Sequence, residues 1–453
     1  MNAISKIKNI YFIGIGGIGM SAIARFFHSR GVQVSGYDRT RTELTIELEL
    51  SGITIHYEEN LNKIAKEADV VVYTPAVPLG HRELAYYRAN NYKVVKRSEV
   101  LQWITESSFN VCIGGTHGKT TVTTMIAHIL RDSGYGCTAF LGGIAANYNT
   151  NFWSSENNAC VIEADEYDRS FLKLSPDVAV ITAMDPDHLD VYGTPEEVER
   201  AFIEFSRRVK PGGCLVAKHG LKRQSDLRAP VKYTYSFDNP EADVYAASIA
   251  VKDGAYSYSV VSNQWTVDGL TLHMGGLHNI ENSVAAIAVA KHLGIDDEQI
   301  RAALASFRGV KRRFEYVVKD ASHILIDDYA HHPKELEAVI RGVRSLYNDK
   351  LTVVFQPHLY TRTQDLADGF AASLDKADEV ILLPIYPARE LPIEGVESEL
   401  ILGKMQLPSK QVLDKDQLLE WVKQHKPSLL VMAGAGDIDG MIEPVKNILI
   451  QQQ

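Results

Sequence analysis

Phe109-Asn110-Val111-Cys112-Ile113-Gly114-Gly115-Thr116-His117-Gly118-Lys119-Thr120-Thr121 runs from an apolar strand through a glycine turn into a helix start. Its last three motif residues, Gly118-Lys119-Thr120, form the Gly-Lys-Ser/Thr end of a phosphate loop. Full Walker spacing needs glycine at position 113, where Ile113 stands, so the loop is one residue shorter when counted from Gly114. Backbone N–H groups of residues 115–119 can still ring phosphates. Lys119 can reach the β- and γ-phosphates, and the Thr120 hydroxyl can sit on Mg²⁺. ATP binding is the chemistry this segment predicts.

Two acidic runs follow. Glu163-Ala164-Asp165-Glu166 comes directly after the apolar run Cys160-Val161-Ile162. A carboxylate there sits at the carboxyl end of a strand, where ligands gather in open α/β sheets. Glu163 is the natural Mg²⁺ partner of Thr120, because Mg²⁺ carrying a nucleotide uses few protein ligands. In Asp185-Pro186-Asp187-His188-Leu189-Asp190 a histidine lies among three aspartates. A second metal there would neutralise charge during phosphoryl transfer.

A different glycine pattern lies near the N-terminus. Gly14-Ile15-Gly16-Gly17-Ile18-Gly19 satisfies GxGxxG, and Asp38 follows 19 residues after Gly19. Glycines allow a tight turn and close backbone approach, and the helix N-terminus that follows favours a phosphate. The pattern alone leaves three readings open: NAD(P) with Asp38 on a ribose hydroxyl, another diphosphate ligand, or plain strand–helix packing.

The elements that must carry these groups alternate. Residues 9–15, 32–37, 70–73 and 93–95 read as strands, and 21–29, 43–50, 83–89 and 99–105 as helices. Strands separated by single helices mean βαβ units and a mostly parallel sheet. A second series has strands at 109–113, 159–162 and 178–182, with helices at 120–131 and 195–208. Between Gly212 and about Met274 the runs shorten and alternate, which suggests antiparallel hairpins, before helices at 279–293 and 297–306. A third series has strands at 323–326, 351–355, 379–383 and 429–432, with helices at 333–346 and 362–374. The expected fold is α/β in three domains, near 1–106, 107–308 and 309–453: Rossmann-like, central phosphate-loop type with a small antiparallel insertion, and Rossmann-like again.

Composition narrows the class. The chain has 453 residues and 47 Lys+Arg against 57 Asp+Glu, a net charge of −10. With no basic tract, it does not read as a nucleic-acid binder. Its apolar runs fall short of the ~20 residues that span a bilayer, and the opening residues carry no cleavable-signal pattern. Cys112, Cys137, Cys160 and Cys214 are too widely spaced for a zinc knuckle or redox pair. A cytoplasmic enzyme with reduced thiols is the expectation.

The combination of Gly115-Thr116-His117-Gly118-Lys119-Thr120-Thr121, Glu163-Ala164-Asp165-Glu166 and Asp187-His188-Leu189-Asp190 resembles the Mur ligases of peptidoglycan synthesis. The likeness continues through Gly276-Leu277-His278-Asn279-Ile280-Glu281-Asn282 and Asp327-Asp328-Tyr329-Ala330-His331-His332-Pro333. It ends with Gln356-Pro357-His358-Leu359-Tyr360-Thr361-Arg362 and Ala433-Gly434-Ala435-Gly436-Asp437. The resemblance implies an ATP-dependent amide synthesis through an acyl phosphate. Its ligands are UDP-N-acetylmuramate, L-alanine, ATP and Mg²⁺, the last as two ions. In this family the GxGxxG turn holds the diphosphate of a UDP-sugar, so Gly14, Gly16, Gly17, Ile18, Gly19 and Asp38 become UDP-sugar residues.

Carried over by position, Gly114, Gly115, Thr116, His117, Gly118, Lys119, Thr120 and Thr121 bind ATP phosphates. Thr120, Glu163 and His188 hold metal, and Asn279 and Asn282 look like adenine contacts. Arg313 resembles an arginine that meets phosphate, and Asp328 and Tyr329 reach ATP. His332, His358 and Arg362 face the amino acid. Lys119, His188, Arg313 and His332 are the implied catalytic set. The chain departs from the family at Leu359, where arginine is common, and near His56, where a Gly-His pair is missing. Tyr167 resembles the relative that takes a salvaged tripeptide instead of L-alanine. A monomer or weak homodimer is expected.

Overall fold

Short β-branched runs such as Val70-Val71-Val72 and Leu351-Thr352-Val353-Val354 lose little by taking extended backbone and gain by burial on both faces of a parallel sheet. The computed structural model of the chain describes residues 3–450 other than 79, 187, 188, 253 and 389. These residues form three sheets.

The first sheet has β1 (Asn9–Ile13), β2 (Gln33–Tyr37), β3 (Thr54–His56), β4 (Val70–Tyr73) and β5 (Val94–Lys96) in the order β3-β2-β1-β4-β5. Every pairing is parallel. The order reverses between β1 and β4, so the crevice at their carboxyl ends is the natural ligand site. The glycine turn after β1 opens into that crevice.

The second sheet contains β6 (Phe109–Gly114), β7 (Thr138–Ala145), β8 (Thr150–Trp153), β9 (Ala159–Glu163), β10 (Val178–Ile181), β11 (Cys214–Lys218), β12 (Val231–Ser236), β13 (Val244–Lys252), β14 (Ala255–Ser262) and β15 (Thr266–Leu272). The order is β15-β14-β13-β12-β11-β10-β6-β9-β7-β8. β6 pairs in parallel with both β9 and β10, so the phosphate loop emerges between two other strand ends. β11 and β12 extend the parallel sheet, so the hairpin region begins later than the expected Gly212. The expectation failed because β12 is mostly exposed or half-buried, as at a sheet margin, which a single sequence does not distinguish from a hairpin.

The third sheet has β16 (Glu315–Lys319), β17 (Ile324–Asp328), β18 (Leu351–Phe355), β19 (Glu379–Leu382), β20 (Lys410–Val412) and β21 (Leu429–Ala433), in the order β16-β17-β21-β18-β19-β20. Only the edge strand β16 is antiparallel here. Strands β3, β7, β8, β16 and β20 are additions to the sequence reading. β7 contains Gly142-Gly143 and so reads as a loop, and β3 and β20 are three residues each.

The chain divides into two compact bodies. The first holds residues 1–248, 258–270 and 281–307, and the second 249–257, 271–280 and 308–453. In the first body Phe26, Phe27, Phe140 and Phe152 cluster under the sheets, and Phe171, Phe202 and Phe205 form a second aromatic group. In the second, Phe355 and Phe370 pack beneath one sheet face, and Leu418, Val422 and Val445 beneath the other. No helix among the described residues is long and apolar enough to cross a membrane.

Candidate active site

In the first body, β1 ends at Ile13, and Gly14 turns the chain with φ +84°. The N–H groups of Gly14 and Ile15 both donate to the Tyr37 carbonyl, at 2.8 and 3.0 Å. The Gly16 N–H donates to Asp38 Oδ2 at 2.7 Å, and Thr40 N–H to Asp38 Oδ1 at 3.1 Å. A Cβ on Gly16 would lie 2.6 Å from Thr45 Cγ2, so the turn excludes any side chain there. The helix Ile18–Ser29 starts immediately afterwards, with its free N–H groups at the carboxyl end of β1. Asp38 is thus a buttress of the turn.

The phosphate loop is held from below by Thr182. Its hydroxyl donates to the His117 carbonyl and, at 3.3 Å, to the Gly114 carbonyl. Gly115 has φ +139°, and a Cβ there would stand 2.0 Å from Thr182 Oγ1. Gly118 is left-handed at φ +78°, and Asn282 Oδ1 lies 2.8 Å from where its Cβ would be. Thr116 Oγ1 accepts from Asp185 N–H at 3.2 Å, and His117 Nε2 lies 3.6 Å from Asp185 Oδ2. Lys119 opens the helix Lys119–Asp132. Its ammonium donates to the Gly115 carbonyl at 2.7 Å and to Glu166 Oε1 at 2.8 Å. Burial pushes the Glu166 carboxyl above its ordinary range, and Lys119 pulls it back down.

Glu163 closes β9, in register with Ile113 of β6. Its carboxylate lies against Gly142 of β7, where a Cβ would meet Oε2 at 2.1 Å. Thr120 is buried at the head of the neighbouring helix. Hydroxyl and carboxylate are hard oxygen donors of the kind Mg²⁺ takes. His188 lies outside the described residues. Among the described residues no group of three or more His, Cys, Asp and Glu is placed to hold a metal.

In the second body the groups gather at the carboxyl ends of β17, β21 and β18. Asp328 accepts from Phe314 N–H at 2.7 Å and Ala330 N–H at 2.8 Å. Burial raises its pKa to about 6, against the pull of those two bonds. Arg312 donates to the Gly434 carbonyl at 2.6 Å, lies 3.4 Å from both Asp327 and Asp439, and covers the Tyr329 ring at 5.1 Å. Burial pushes Asp327 up to about 7 while Arg312 holds it down. The neighbouring Arg313 is exposed.

His358 stacks on Tyr386, with ring centroids 5.7 Å apart, and its Nδ1 lies 3.4 Å from an Arg362 nitrogen. The His331 ring is 6.3 Å from that of His358. Burial lowers the His358 pKa, and the Arg362 and His331 charges lower it further. His332 caps the helix Pro333–Leu346, its ring accepting from Lys334 N–H at 3.3 Å. Leu359 is held at φ +72° just before the helix Tyr360–Leu374, an uncommon backbone for a bulky residue. Gln356 bridges two strand ends, donating to Asp437 at 2.8 Å and accepting from Ile438 N–H at 2.9 Å. Asn279 donates to the Gly275 carbonyl at 2.7 Å.

The structure therefore brings Lys119, Thr182 and Glu166 together in one body, and His331, His358 and Arg362 in the other. Sequence reasoning missed Glu166, Thr182, Gly142, Arg312 and Asp327. Glu166 stood in the quoted acidic run, but only the three-dimensional turn after β9 directs it to Lys119.

Glycine turns at two strand–helix junctions, one closed on a lysine, define a nucleotide-binding α/β enzyme of multi-domain type. Residues 9–108 match the Mur ligase family catalytic domain, 113–290 the Mur ligase middle domain, and 312–436 the Mur ligase glutamate ligase domain. The chain belongs to the Mur ligase family. It is 48% identical over 457 residues to a UDP-N-acetylmuramate–L-alanine ligase of Parabacteroides distasonis, covering 99% of each chain. The same-named protein of Porphyromonas gingivalis is 47% identical over 451 residues, 98% of this chain and 99% of the relative. Among solved structures it resembles the UDP-N-acetylmuramate-alanine ligase of Thermotoga maritima, with a TM-score of 0.83 at 28% identity over 98% of this chain and 99% of the other. A murein peptide ligase from Psychrobacter arcticus shares the fold, with a TM-score of 0.68 at 23% identity over 98% of both chains.

Proposed function

We infer that this chain joins L-alanine to the lactyl carboxylate of UDP-N-acetylmuramate, converting ATP to ADP and phosphate, in the making of peptidoglycan precursors. The observation that carries this is 43–48% identity to L-alanine ligases along nearly the whole chain.

A carboxylate acylates poorly because oxide would have to leave. In the first step its oxygen attacks the γ-phosphorus and ADP departs, giving an acyl phosphate. The amine of L-alanine then attacks the acyl carbon, and phosphate leaves with the former carboxylate oxygen. The protein's part is charge neutralisation and positioning. Lys119 exchanges Glu166 for phosphate oxygens, and Gly114, Gly115, Thr116, His117, Gly118 and Thr121 would meet the phosphates from the end of β6, the turn and the first turn of the helix. Thr120 and Glu163 would hold one Mg²⁺ and His188 a second, which supply positive charge beside the phosphates. The space left by Gly142 supports the placement of Glu163.

Gly14, Gly16, Gly17, Ile18 and Gly19 would seat the diphosphate of the UDP-sugar, with Asp38 fixing the turn. Asn279 and Asn282 serve the adenine, Arg313, Asp328 and Tyr329 the ATP, and His332, His358 and Arg362 the amino acid. Three domains, 1–106, 107–308 and 309–453, divide these tasks. The enzyme works in the cytoplasm as a monomer or weak homodimer.

The test is phosphate release with UDP-N-acetylmuramate and ATP against L-alanine, glycine, L-serine and the tripeptide L-Ala-γ-D-Glu-meso-diaminopimelate. L-Alanine drives turnover in this reading. Release driven by the tripeptide alone would assign the chain to peptide recycling instead, and NADH binding to the intact protein would reopen a dehydrogenase reading.

A further inference from the structure

Arg97 begins the helix Arg97–Ser107 directly after β5. One end of its guanidinium lies over the N-terminal glycine turn, with NH1 2.8 Å from where a Cβ on Gly19 would be. Another nitrogen, NH2, lies 3.3 Å from Asp165 Oδ2, in the acidic run that follows β9. The next residue, Glu166, holds Lys119. One side chain therefore spans from the diphosphate turn to the edge of the phosphate loop. A small cavity opens beside it, lined in part by Pro75, Ser98, Asp165, Tyr167 and Ser170.

The sugar substrate proposed above must make the same span. Its diphosphate belongs at the glycine turn, and its carboxylate must reach the γ-phosphate near Lys119. We propose that Arg97 receives the lactyl carboxylate of the UDP-sugar acid, exchanging Asp165 for it. The inference rests on the proposed substrate and adds the residue that selects its acid group. The Arg97–Asp165 pair suits such an exchange. It is a single contact at 3.3 Å, and the side chains are 22% and 39% exposed. Arginine presents five donors in a planar fork matched to carboxylates, so most of its capacity is open to a second one. Asp165 keeps a separate bond, accepting from Tyr167 N–H at 3.1 Å, and stays in place when the guanidinium turns away.

The experiment titrates the full chain calorimetrically with UDP, UDP-N-acetylglucosamine and UDP-N-acetylmuramate, without ATP or amino acid. The two sugars differ by the lactyl ether. The wild-type protein prefers the acid-bearing sugar. Arg97→Met loses about ten-fold of that preference, as expected for a hydrogen bond to a charged group, while UDP affinity stays within about two-fold. Arg97→Gln, which keeps a polar head, shows the same loss and covers the case in which the methionine variant does not fold. A preference retained in both variants overturns the assignment. So does equal weakening for all three ligands, which would give the guanidinium to the diphosphate. Wild-type protein that binds UDP but does not distinguish the two sugars removes the substrate reading itself, a result separable from a failure of Arg97 alone.

Discussion

Lys119 Nζ lies 2.8 Å from Glu166 Oε1, and that carboxylate keeps 1% of its side-chain surface. The phosphate-loop lysine therefore already has an anionic partner before any phosphate arrives. A triphosphate must outcompete a carboxylate whose own charge is disfavoured by burial. A reluctant anion is a weak competitor, which lets Lys119 stay ordered and still transfer to the ligand.

Lys119→Ala should lower turnover by about a hundred- to a thousand-fold, the usual cost of one donor aimed at developing charge. Glu166 then loses the group that lowered its pKa and takes up a proton more readily. UDP-sugar binding, at the other glycine turn, should be nearly intact. Phosphate release and calorimetric binding of UDP-N-acetylmuramate check the two halves. Wild-type-like turnover would remove Lys119 from the phosphate site.

Gly115→Ala should abolish ATP binding and lower the unfolding temperature. The residue sits at φ +139°, and its new Cβ would be 2.0 Å from Thr182 Oγ1 and 2.8 Å from the Ala183 nitrogen. Thr182 cannot yield without dropping the carbonyls of Gly114 and His117. Backbone strain with a steric clash of this sort costs about 2 kcal/mol or more. Calorimetric titration with ATP and a thermal melt measure both effects; a variant with normal ATP affinity would refute this account of the loop.

Asp327→Asn should stabilise the protein at neutral and alkaline pH but not in acid. Burial lifts the Asp327 pKa from its ordinary value of 3.8 to about 7. The folded state thus binds the proton more tightly than the unfolded one, and wild-type stability falls as pH rises through that window. Below about pH 4 both states are protonated, and the amide and the acid should be alike. By pH 8 the variant should be ahead by up to about 4 kcal/mol, the value of about 7 already including the Arg312 attraction. Urea unfolding at pH 4, 6 and 8 follows the trend. A difference that does not change with pH would show that Asp327 is not held in this state.

The sequence carried the parts of this site that depend on local backbone. The two glycine turns, Lys119 and the carboxylate at Glu163 each follow an apolar strand and precede a helix, so spacing alone locates them. Groups that meet only after the sheets form were hidden. Gly142 lies 21 residues before Glu163 and reads as part of a loop, yet β7 pairs with β9 and sets it under that carboxylate. In Lys311-Arg312-Arg313 the chain offers adjacent arginines, and the family resemblance points to Arg313 for phosphate. Left-handed backbone at Arg312 and Phe314 turns Arg312 into the network with Asp327, Asp439 and Gly434. No periodicity signals a positive φ at a non-glycine residue.

Gly142 gives a test of the metal site that substitutes none of the proposed ligand residues. Its φ is not in the left-handed range, and β-strand backbone accepts alanine, so Gly142→Ala should fold. The added Cβ would fall 2.1 Å from Glu163 Oε2 and 2.5 Å from Oε1, so the carboxylate must move. If Glu163 holds Mg²⁺ beside Thr120, the displaced carboxylate binds the ion more weakly while Lys119 and the glycine turn are unchanged. The half-saturating Mg²⁺ concentration for phosphate release should then rise by about ten-fold, as one oxygen ligand is misplaced. Turnover at saturating Mg²⁺ should recover much of its wild-type value. An unchanged Mg²⁺ requirement, with the fold intact by thermal melt, would take Glu163 out of the metal site, because its carboxylate supplies the three atoms nearest the new Cβ.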